Sequence, residues 1–208
     1  MATLSNARSS KRVGLPPQPS KTLKSLEASG RRMNVVVLLA PGFEELEAVT
    51  IVDVLRRAGI SVLLAGIADP PIVGGHGIKL MSDISIDDVK ACDALVLPGG
   101  NPGYLNLERD QRVLRLIRAA YDAGKYVAAI CAAPHVLGVA GIMEGATATC
   151  YPGLEIPGAQ RVEEERVVRQ GKIITSQGPG TAMDFALSLV EALTTKENER
   201  EVRKALLA

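Results

Sequence analysis

The chain of 208 residues contains no Trp and only two Phe, although 47% of its residues are hydrophobic. Its core must therefore be aliphatic and consist mainly of Val, Leu, Ile and Ala. Cysteine is also scarce, with three residues, Cys92, Cys131 and Cys150. This low and odd count favours free thiols in a reducing compartment and argues against a disulfide framework.

Signatures of cofactor and metal sites are missing as well. No glycine-rich dinucleotide motif follows a predicted strand, and no P-loop sequence occurs. Two His and three scattered Cys do not give a metal-ligand spacing, so we predict neither a metal nor a cofactor. The apolar run 126–143 contains Cys, His, Pro and two Gly. We interpret it as a strand and a buried helix, not as a membrane span.

Basic residues are concentrated before residue 33. Residues 1–32 contain seven Lys or Arg and one Glu, so residues 33–208 carry 17 basic and 22 acidic side chains. An acidic body does not favour nucleic-acid binding. The first 32 residues, rich in Ser and basic residues, are predicted to be a disordered tail or a mitochondrial or plastid transit peptide. Without such a signal the protein is predicted to be cytoplasmic, with one domain over 33–208.

Apolar segments alternate with amphipathic ones after residue 32. Short aliphatic runs predict strands that are buried on both faces. They lie within 33–40, 60–67, 93–100 and 126–130, with further strands in 146–153 and 166–180. Helical spacing predicts helices at 111–124, 181–194 and 196–208, and a hairpin-like excursion is predicted at 70–83. The alternation predicts an α/β fold with a mostly parallel sheet covered on both faces.

The first helix is predicted to follow the sequence PGFEEL. Its Leu46, Val49, Val52 and Leu55 recur at helical spacing and are interpreted as its buried face. The last long helix is predicted to begin with a capping box formed by Thr181 and Asp184.

Cys131 is the main candidate for a functional residue, because it directly follows a predicted strand and precedes a helical segment. Such a nucleophile elbow presents a side chain at the carboxyl edge of the sheet. A helix N-terminus at this point favours the thiolate and lowers the pKa of the thiol. The amide of Ala132 and a glycine amide, of Gly99 or Gly100, are placed to bind an oxyanion. The alternative interpretation is a small buried hydrophobic residue.

Glu47 is the second candidate. Glu44 and Glu45 lie at the start of the first helix, where acidic side chains are common and stabilising. Glu47 lies closer to the apolar face, where a carboxyl is desolvated and tends to stay protonated. A protonated carboxyl beside a thiolate donates a hydrogen bond and transfers a proton during a reaction.

Four motifs, LAPGFEELEAVTIVDVLRRAGI, VLPGG, AAICAAP and TSQGPGT, occur in this order and resemble the ThiJ/PfpI superfamily, in particular its DJ-one branch. The resemblance covers about residues 33–195. It implies a flavodoxin-like three-layer α/β/α sandwich and a homodimer. It also implies a reactive cysteine, Cys131, paired with a protonated glutamate, Glu47, in a pocket lined by Ala132 and the glycines of VLPGG.

The chain departs from the superfamily at two positions. Some members have His directly after the cysteine, where this chain has Ala132. In one member of the branch a pocket His precedes a Pro after the sixth strand, where this chain has Tyr151, which supplies a hydroxyl instead. The resemblance places His76 near a partner subunit, and we consider His76 and Arg57 for a pocket completed across the dimer. An exposed loop position for His76 is the alternative.

These residues predict a cofactor-free, cysteine-dependent glyoxalase or deglycase. The resemblance suggests methylglyoxal, glyoxal or their early adducts on proteins and nucleotides as substrates. The alternative is a redox-sensing, chaperone-like dimer whose Cys131 is oxidised to a sulfinate. A weaker alternative is an amidase or protease, which requires a His partner that the elbow does not offer.

Overall fold

A central strand, β1, is built from the first aliphatic run of the described chain. The computed structural model describes residues 33–208. Five of the six residues of β1 are buried, as expected for a strand covered on both faces. The strands are β1 (Asn34–Leu39), β2 (Ser61–Gly66), β3 (Ile72–Val73), β4 (Lys79–Leu80), β5 (Ile84–Ser85), β6 (Ala94–Leu97), β7 (Tyr126–Ile130), β8 (Thr147–Ala148), β9 (Gln160–Arg161), β10 (Val167–Gln170) and β11 (Ile173–Ser176).

The main sheet has seven strands in the order β10-β11-β7-β6-β1-β2-β5. All neighbouring strands are parallel except β10 and β11, which form an antiparallel hairpin that turns at Gly171. The strands β3 and β4 form a separate antiparallel hairpin, as the excursion at 70–83 predicted. The chain adds β2 on one side of β1 and later adds β6 on the other side, so the strand order reverses at β1. A site is therefore expected at the carboxyl edge of the sheet near β1 and β6.

Helices cover both faces of this sheet. They are α1 (Glu45–Arg57), α2 (Gly103–Arg109), α3 (Gln111–Asp122), α4 (Pro134–Val139), α5 (Ala182–Leu193) and α6 (Lys196–Leu206). On one face, Val35, Val37 and Leu39 of β1 pack in a cluster with side chains of α1, α5 and α6. On the other face, Val36 and Leu38 pack in a cluster with α2, α3 and α4. The predicted three-layer α/β/α sandwich is therefore confirmed.

The buried face of α1 differs from the predicted one. Leu55 is buried, but Leu46 and Val49 are 64% and 48% exposed. The buried positions are Glu45, Glu47, Ala48, Ile51, Val54 and Leu55. Apolar residues occur on two sides of this helix, so helical spacing alone could not identify the side that faces the sheet. The carboxyl of Glu47 consequently lies inside the protein.

Two further predictions about local structure need correction. The helix α2 was not predicted, although its Leu107 is buried in the core. The capping box at the start of α5 is absent, because Thr181 bonds back to Gly178 and Ser176 and makes no cap bond to the helix. Asp184 forms an ion pair with Arg166 at 2.8 Å instead.

The predicted tail or transit peptide of residues 1–32 lies outside the described residues. Within residues 33–208, no helix has the length and apolar character required to cross a bilayer. All three cysteines are free, as their low and odd count predicted, and all three are buried.

Candidate active site

Cys131 lies on a strained turn at the carboxyl end of β7. Its φ is +64°, and Leu207 is the only other non-glycine residue of the described chain with a positive φ. Such a conformation is unfavourable for an L-residue and is held only by its surroundings. Here the Cys131 N–H donates to the Ser176 carbonyl at 3.0 Å, and the Cys131 carbonyl accepts from the Tyr151 N–H at 2.8 Å. The backbone thus has the geometry that a nucleophile elbow requires.

The helix after the elbow begins later than predicted. Residues 131–133 form a turn, and α4 starts at Pro134 and contains only six residues. The thiol therefore does not lie at the N-terminus of a long helix, and the predicted effect of a helix dipole on its pKa has little structural basis. Two individual backbone amides, and not a helix dipole, stabilise the thiolate: the N–H groups of Gly100 and Ala132 interact with the sulfur.

Gly99 connects the cysteine to the glutamate. A Cβ at this position would lie 2.7 Å from the Cβ of Cys131 and 3.0 Å from the Ala132 nitrogen, so only glycine fits here. Its N–H donates to Oε2 of Glu47 at 2.7 Å. The sequence offered Gly99 and Gly100 as alternative oxyanion donors. In the structure Gly99 binds the carboxyl, whereas Gly100 faces the sulfur.

Glu47 lies in the first turn of α1 and is completely buried. Burial raises the pKa of its carboxyl to about 7, and the Gly99 hydrogen bond only partly opposes this rise. The predicted desolvation is therefore confirmed. Oε1 of Glu47 has no well-aligned hydrogen-bond partner within residues 33–208. The carboxyl of Glu47 and the thiol of Cys131 are in close electrostatic contact, without a well-aligned hydrogen bond between them.

The thiol of Cys131 is stabilised in its protonated form. Burial raises its pKa to about 12, and the negative charge of Glu47 contributes further, while the amides of Gly100 and Ala132 act in the opposite direction. This direction is the reverse of the sequence prediction. With these pKa values the pair holds two protons below about pH 7 and one proton between about pH 7 and about pH 12, where that proton lies mainly on the thiol.

Replacing Glu47 with Gln is expected to change how stability depends on pH. Between pH 4.5 and about 7 the folded state holds a proton that the unfolded chain has released. Raising the pH through this window therefore lowers the free energy of unfolding of the wild type, by up to about 3 kcal/mol. Glu47→Gln lacks this loss, so its stability relative to wild type should rise by that amount between pH 4.5 and pH 8.

Urea unfolding at the two pH values measures this change. The same comparison in a Cys131→Ser background shows whether the thiol is responsible. If the free energy of unfolding of Glu47→Gln and of wild type changed equally between the two pH values, the raised pKa of Glu47 would be contradicted.

Gly100 provides a test of how tightly the site loop is packed. Its φ is +98°, and an added Cβ would lie 2.4 Å from the Glu44 nitrogen and the Gly42 oxygen. Gly171, in the β10–β11 turn, has a φ of +60° and no neighbour within 4 Å of such a Cβ. Gly171→Ala should therefore lower the free energy of unfolding by only about 1–2 kcal/mol, because alanine is unfavourable in a left-handed backbone conformation. Gly100→Ala should lower it by about 1–3 kcal/mol more, because the neighbouring backbone must also move. Equal losses in urea unfolding would contradict this packing.

Of the other predicted site residues, Tyr151 is bonded to Cys131, whereas Arg57 lies far from Glu47 in the same chain. The Tyr151 N–H donates to the Cys131 carbonyl, and Tyr151 is 49% exposed. Arg57 forms an exposed ion pair with Asp53 at 2.7 Å. It lies ten residues after Glu47, about 15 Å along α1, so in its own chain it is remote from the carboxyl. His135, which the sequence analysis did not assign to the site, packs edge-on against Tyr104, and its Nδ1 lies 2.8 Å from the Glu155 carbonyl.

His76 lies in the β3–β4 hairpin and binds the start of α1. Its Nδ1 lies 2.9 Å from Oε2 of Glu45, and its backbone N–H donates to Oε1 of the same residue at 2.7 Å. Burial would raise the pKa of Glu45, but these bonds hold it below its usual value. Sequence reasoning missed this role of Glu45, because the two residues are 31 positions apart. The Gly-Gly-His sequence of the hairpin was the only local signal.

The fold and the cysteine–glutamate pair define a class of protein. Residues 33–192 match the model of the DJ-1/PfpI family, and the chain belongs to this family. It is 40% identical over 180 residues to the protein dj-1beta of Drosophila melanogaster, covering 84% of this chain and 96% of the relative. The crystal structure of Drosophila melanogaster DJ-1beta superposes with a TM-score of 0.82 at 38% identity, covering 86% of this chain and 99% of that one.

Two other relatives bear on the chemistry of the site. The glutathione-independent glyoxalase DJR-1.2 of Caenorhabditis elegans is 34% identical over 179 residues, covering 83% of this chain and 95% of the relative. A structure of Toxoplasma gondii DJ-1 described as oxidized superposes with a TM-score of 0.78 at 34% identity. It covers 84% of this chain and 98% of that chain.

Proposed function

We propose that this protein is a cofactor-free glyoxalase that converts methylglyoxal or glyoxal to the corresponding hydroxy acid. One observation carries the proposal: a buried carboxyl with a pKa of about 7 lies against the thiol of the elbow cysteine. A general base is most effective when its pKa lies near the working pH. The name of the Caenorhabditis elegans relative, a glutathione-independent glyoxalase, supports the same activity class.

In the first step the Cys131 sulfur attacks the aldehyde carbon of methylglyoxal. The carboxylate of Glu47 accepts the thiol proton as the carbon–sulfur bond forms, which compensates for the high pKa of the thiol. The carbonyl π bond breaks and its electron pair becomes an oxyanion. We propose that the N–H groups of Gly100 and Ala132, which interact with the sulfur, donate to that oxygen. The Glu47 carboxyl then gives the thiol proton to the oxyanion, which yields a hemithioacetal and restores the carboxylate.

In the second step Glu47 moves a proton between the two substrate carbons. Its carboxylate removes the proton from the carbon bonded to sulfur, which gives an enediolate. The hydroxyl proton on that carbon moves to the oxygen of the neighbouring carbon, and the Glu47 carboxyl then protonates the neighbouring carbon, which restores the carboxylate. The product is a lactoyl thioester on Cys131. Water then attacks the thioester, releases lactate and restores the thiol. The sum is the addition of one water to methylglyoxal, so neither an oxidant nor a reductant is consumed.

Early adducts of methylglyoxal with amines are a second substrate class for the same pair. In such an adduct the former aldehyde carbon carries the amine, and the thiol replaces that amine. The hemithioacetal that results follows the second step as above. The protein would then act as a deglycase on proteins or nucleotides.

A direct test uses protein that is free of glutathione and other small thiols. The protein is incubated with methylglyoxal, and proton NMR follows both the loss of substrate and the appearance of lactate. We expect one lactate for each methylglyoxal consumed. Substrate loss without lactate, at the rate of simple adduct formation on lysine and arginine, would exclude the proposal.

A redox sensor is the second candidate function. In its support, the carboxyl of Glu47 interacts with the Cys131 sulfur, and a structure of Toxoplasma gondii DJ-1 is described as oxidized. Two equivalents of a peroxide would convert the Cys131 thiol first to a sulfenate and then to a sulfinate, releasing one water each time. In this case peroxide treatment should yield a stable sulfinate on Cys131, while methylglyoxal is not turned over. An amidase is not favoured, because neither His76 nor His135 bonds to Cys131 in residues 33–208.

The protein is further proposed to be a homodimer, with His76 and Arg57 near the neighbouring subunit. On α1, Leu46 and Val49 expose apolar side chains, as do Val73 and Ile78 of the adjoining hairpin. Exposed apolar side chains that lie together favour a protein interface. Sedimentation equilibrium measures the mass and should give twice the 21.9 kDa of one chain.

A further inference from the structure

A cleft of about 420 Å³ is formed by the loop between β8 and β9. Its lining consists of residues 154–159 together with Arg161 and Glu163. The same loop adjoins the elbow, because the Tyr151 N–H donates to the Cys131 carbonyl. No group of the proposed reaction lies in this lining, so the cleft is a feature that the reaction does not explain.

The side chain of Arg161 begins on the buried side of β9. Ala148 is its partner in the parallel β8–β9 pair and is completely buried. Paired residues of neighbouring strands have their side chains on the same face, so Arg161 also begins on the inner face. Its side chain is only 22% exposed. Its charge also reaches the buried thiol of Cys150, where it opposes the rise in pKa that burial causes. The guanidinium of Arg161 is thus largely withdrawn from water.

This guanidinium lacks acceptors. Within residues 33–208 its buried Nε–H has no hydrogen-bond partner. Its Nη1 lies 3.2 Å from Oε1 of Glu163, whose side chain is 74% exposed, so this ion pair is a weak surface contact. A guanidinium carries five N–H donors, and a buried donor without a partner is unfavourable. An acceptor from outside the chain is therefore expected beside Arg161.

The other groups of the cleft favour a small organic acid with one negative charge. A guanidinium binds a carboxylate or a phosphate through two parallel hydrogen bonds. The side chains of Glu155 and Glu163 also line the cleft, and their charges repel a ligand that carries two negative charges. Leu154 and Ile156 add apolar surface for a short carbon chain. A monocarboxylate meets these conditions better than phosphate does.

We propose that this cleft binds a small organic monocarboxylate, whose two oxygens accept hydrogen bonds from the guanidinium of Arg161. The ligand provides the missing partner for the buried Nε–H and competes with Glu163 for the remaining donors. Its carbon chain packs against Leu154 and Ile156. The site is independent of the proposed glyoxalase activity, so its test measures binding and not turnover.

The test adds propionate to the full chain at constant ionic strength. Proton–nitrogen NMR of isotope-labelled protein follows the Nε–H signal of Arg161, which is identified by its absence from Arg161→Met. This signal should shift in a saturable way with up to about 50 mM propionate, a range that detects millimolar dissociation constants. Propionamide has a similar shape without the charge and should leave the signal unchanged. Phosphate should bind more weakly than propionate.

Arg161→Met separates ligand binding from stability. Methionine is unbranched but has no donor, so propionate should bind at least about tenfold more weakly, as expected for the loss of hydrogen bonds from a charged group. The backbone signals of residues 154–159 report this affinity. Without ligand the variant should melt no lower than its parent, because a buried donor without a partner has been removed. Arg169→Met removes an exposed guanidinium that lies over Tyr126, and it should bind propionate like its parent.

Three results would overturn the proposal. The first is an Arg161 signal that propionate does not shift, or that propionamide or phosphate shifts at equal or lower concentration. The second is unchanged propionate affinity in folded Arg161→Met, which would place the carboxylate elsewhere. The third is a ligand-free Arg161→Met that melts well below its parent, which would show that the guanidinium already has its partners within the protein.

Discussion

Replacing Cys131 with Ser is expected to reduce the rate of methylglyoxal conversion by at least about 1,000-fold, because a hydroxyl is a far weaker nucleophile than a thiol. The fold should survive, since serine is close in size to cysteine and the turn at residue 131 is held by backbone bonds from Ser176 and Tyr151. Steady-state turnover together with thermal melting of Cys131→Ser measures both parts of this prediction.

Cys92→Ser provides the matched control. Cys92 is another buried free thiol, but it lies just before β6, at the edge of the sheet opposite the elbow. Burial raises the pKa of its thiol to about 11, so in this respect it resembles Cys131. We expect the control to retain turnover and to lose only some stability. A Cys131→Ser protein that keeps most of its activity would exclude the elbow thiol as the nucleophile.

Glu47→Gln should lower turnover by about 100-fold or more, the usual contribution of general acid–base catalysis. The amide keeps an acceptor for the Gly99 N–H but cannot take up the thiol proton. It also removes a negative charge that raises the pKa of Cys131, so alkylation of Cys131 by iodoacetamide at alkaline pH should be no slower than in wild type. In Glu47→Gln, turnover should therefore fall while the reactivity of the Cys131 thiol is retained.

Glu47→Leu serves as a comparison, because it removes both the base and the acceptor. Its turnover should be as low as that of Glu47→Gln, while its unfolding free energy should fall by about 1–3 kcal/mol further, since the buried Gly99 N–H loses its partner. If Glu47→Gln converts methylglyoxal at a rate close to wild type, then Glu47 only tunes the thiol. That result would favour the redox sensor over the glyoxalase.

The three-layer arrangement was predictable from the sequence, because strands that are buried on both faces consist of continuous aliphatic runs. Runs such as NVVVLL are aliphatic on both faces, and the residues of β1 indeed alternate between the two core clusters. The orientation of α1 was less predictable, because apolar side chains lie on two sides of that helix. Leu46 and Val49 are exposed, and a charged residue, Glu47, occupies the interior instead.

The sequence predicted that Cys131 and Glu47 lie together, as they do in the structure, but it did not predict their protonation. A cysteine after a strand and a glutamate near an apolar face are local features. The pKa of Cys131 depends on where α4 starts, how deeply the sulfur is buried and which glycine amide faces it. These quantities arise from residues at three separate strand ends. The same reason explains why Glu45 and His76 were not linked before the hairpin was placed on α1.

In the proposed mechanism, turnover passes through a covalent intermediate on Cys131, and Glu47 converts this intermediate to a thioester by moving a proton between its carbons. Rapid acid quenching during methylglyoxal turnover, followed by mass spectrometry of the peptide that contains Cys131, tests this claim most directly. The account predicts an acid-stable lactoyl thioester on Cys131 in the wild type, heavier by one methylglyoxal molecule. It also predicts that Glu47→Gln, which cannot move the proton, lacks this adduct. Steady formation of lactate by the wild type with an unmodified Cys131 at every quench time would contradict the account.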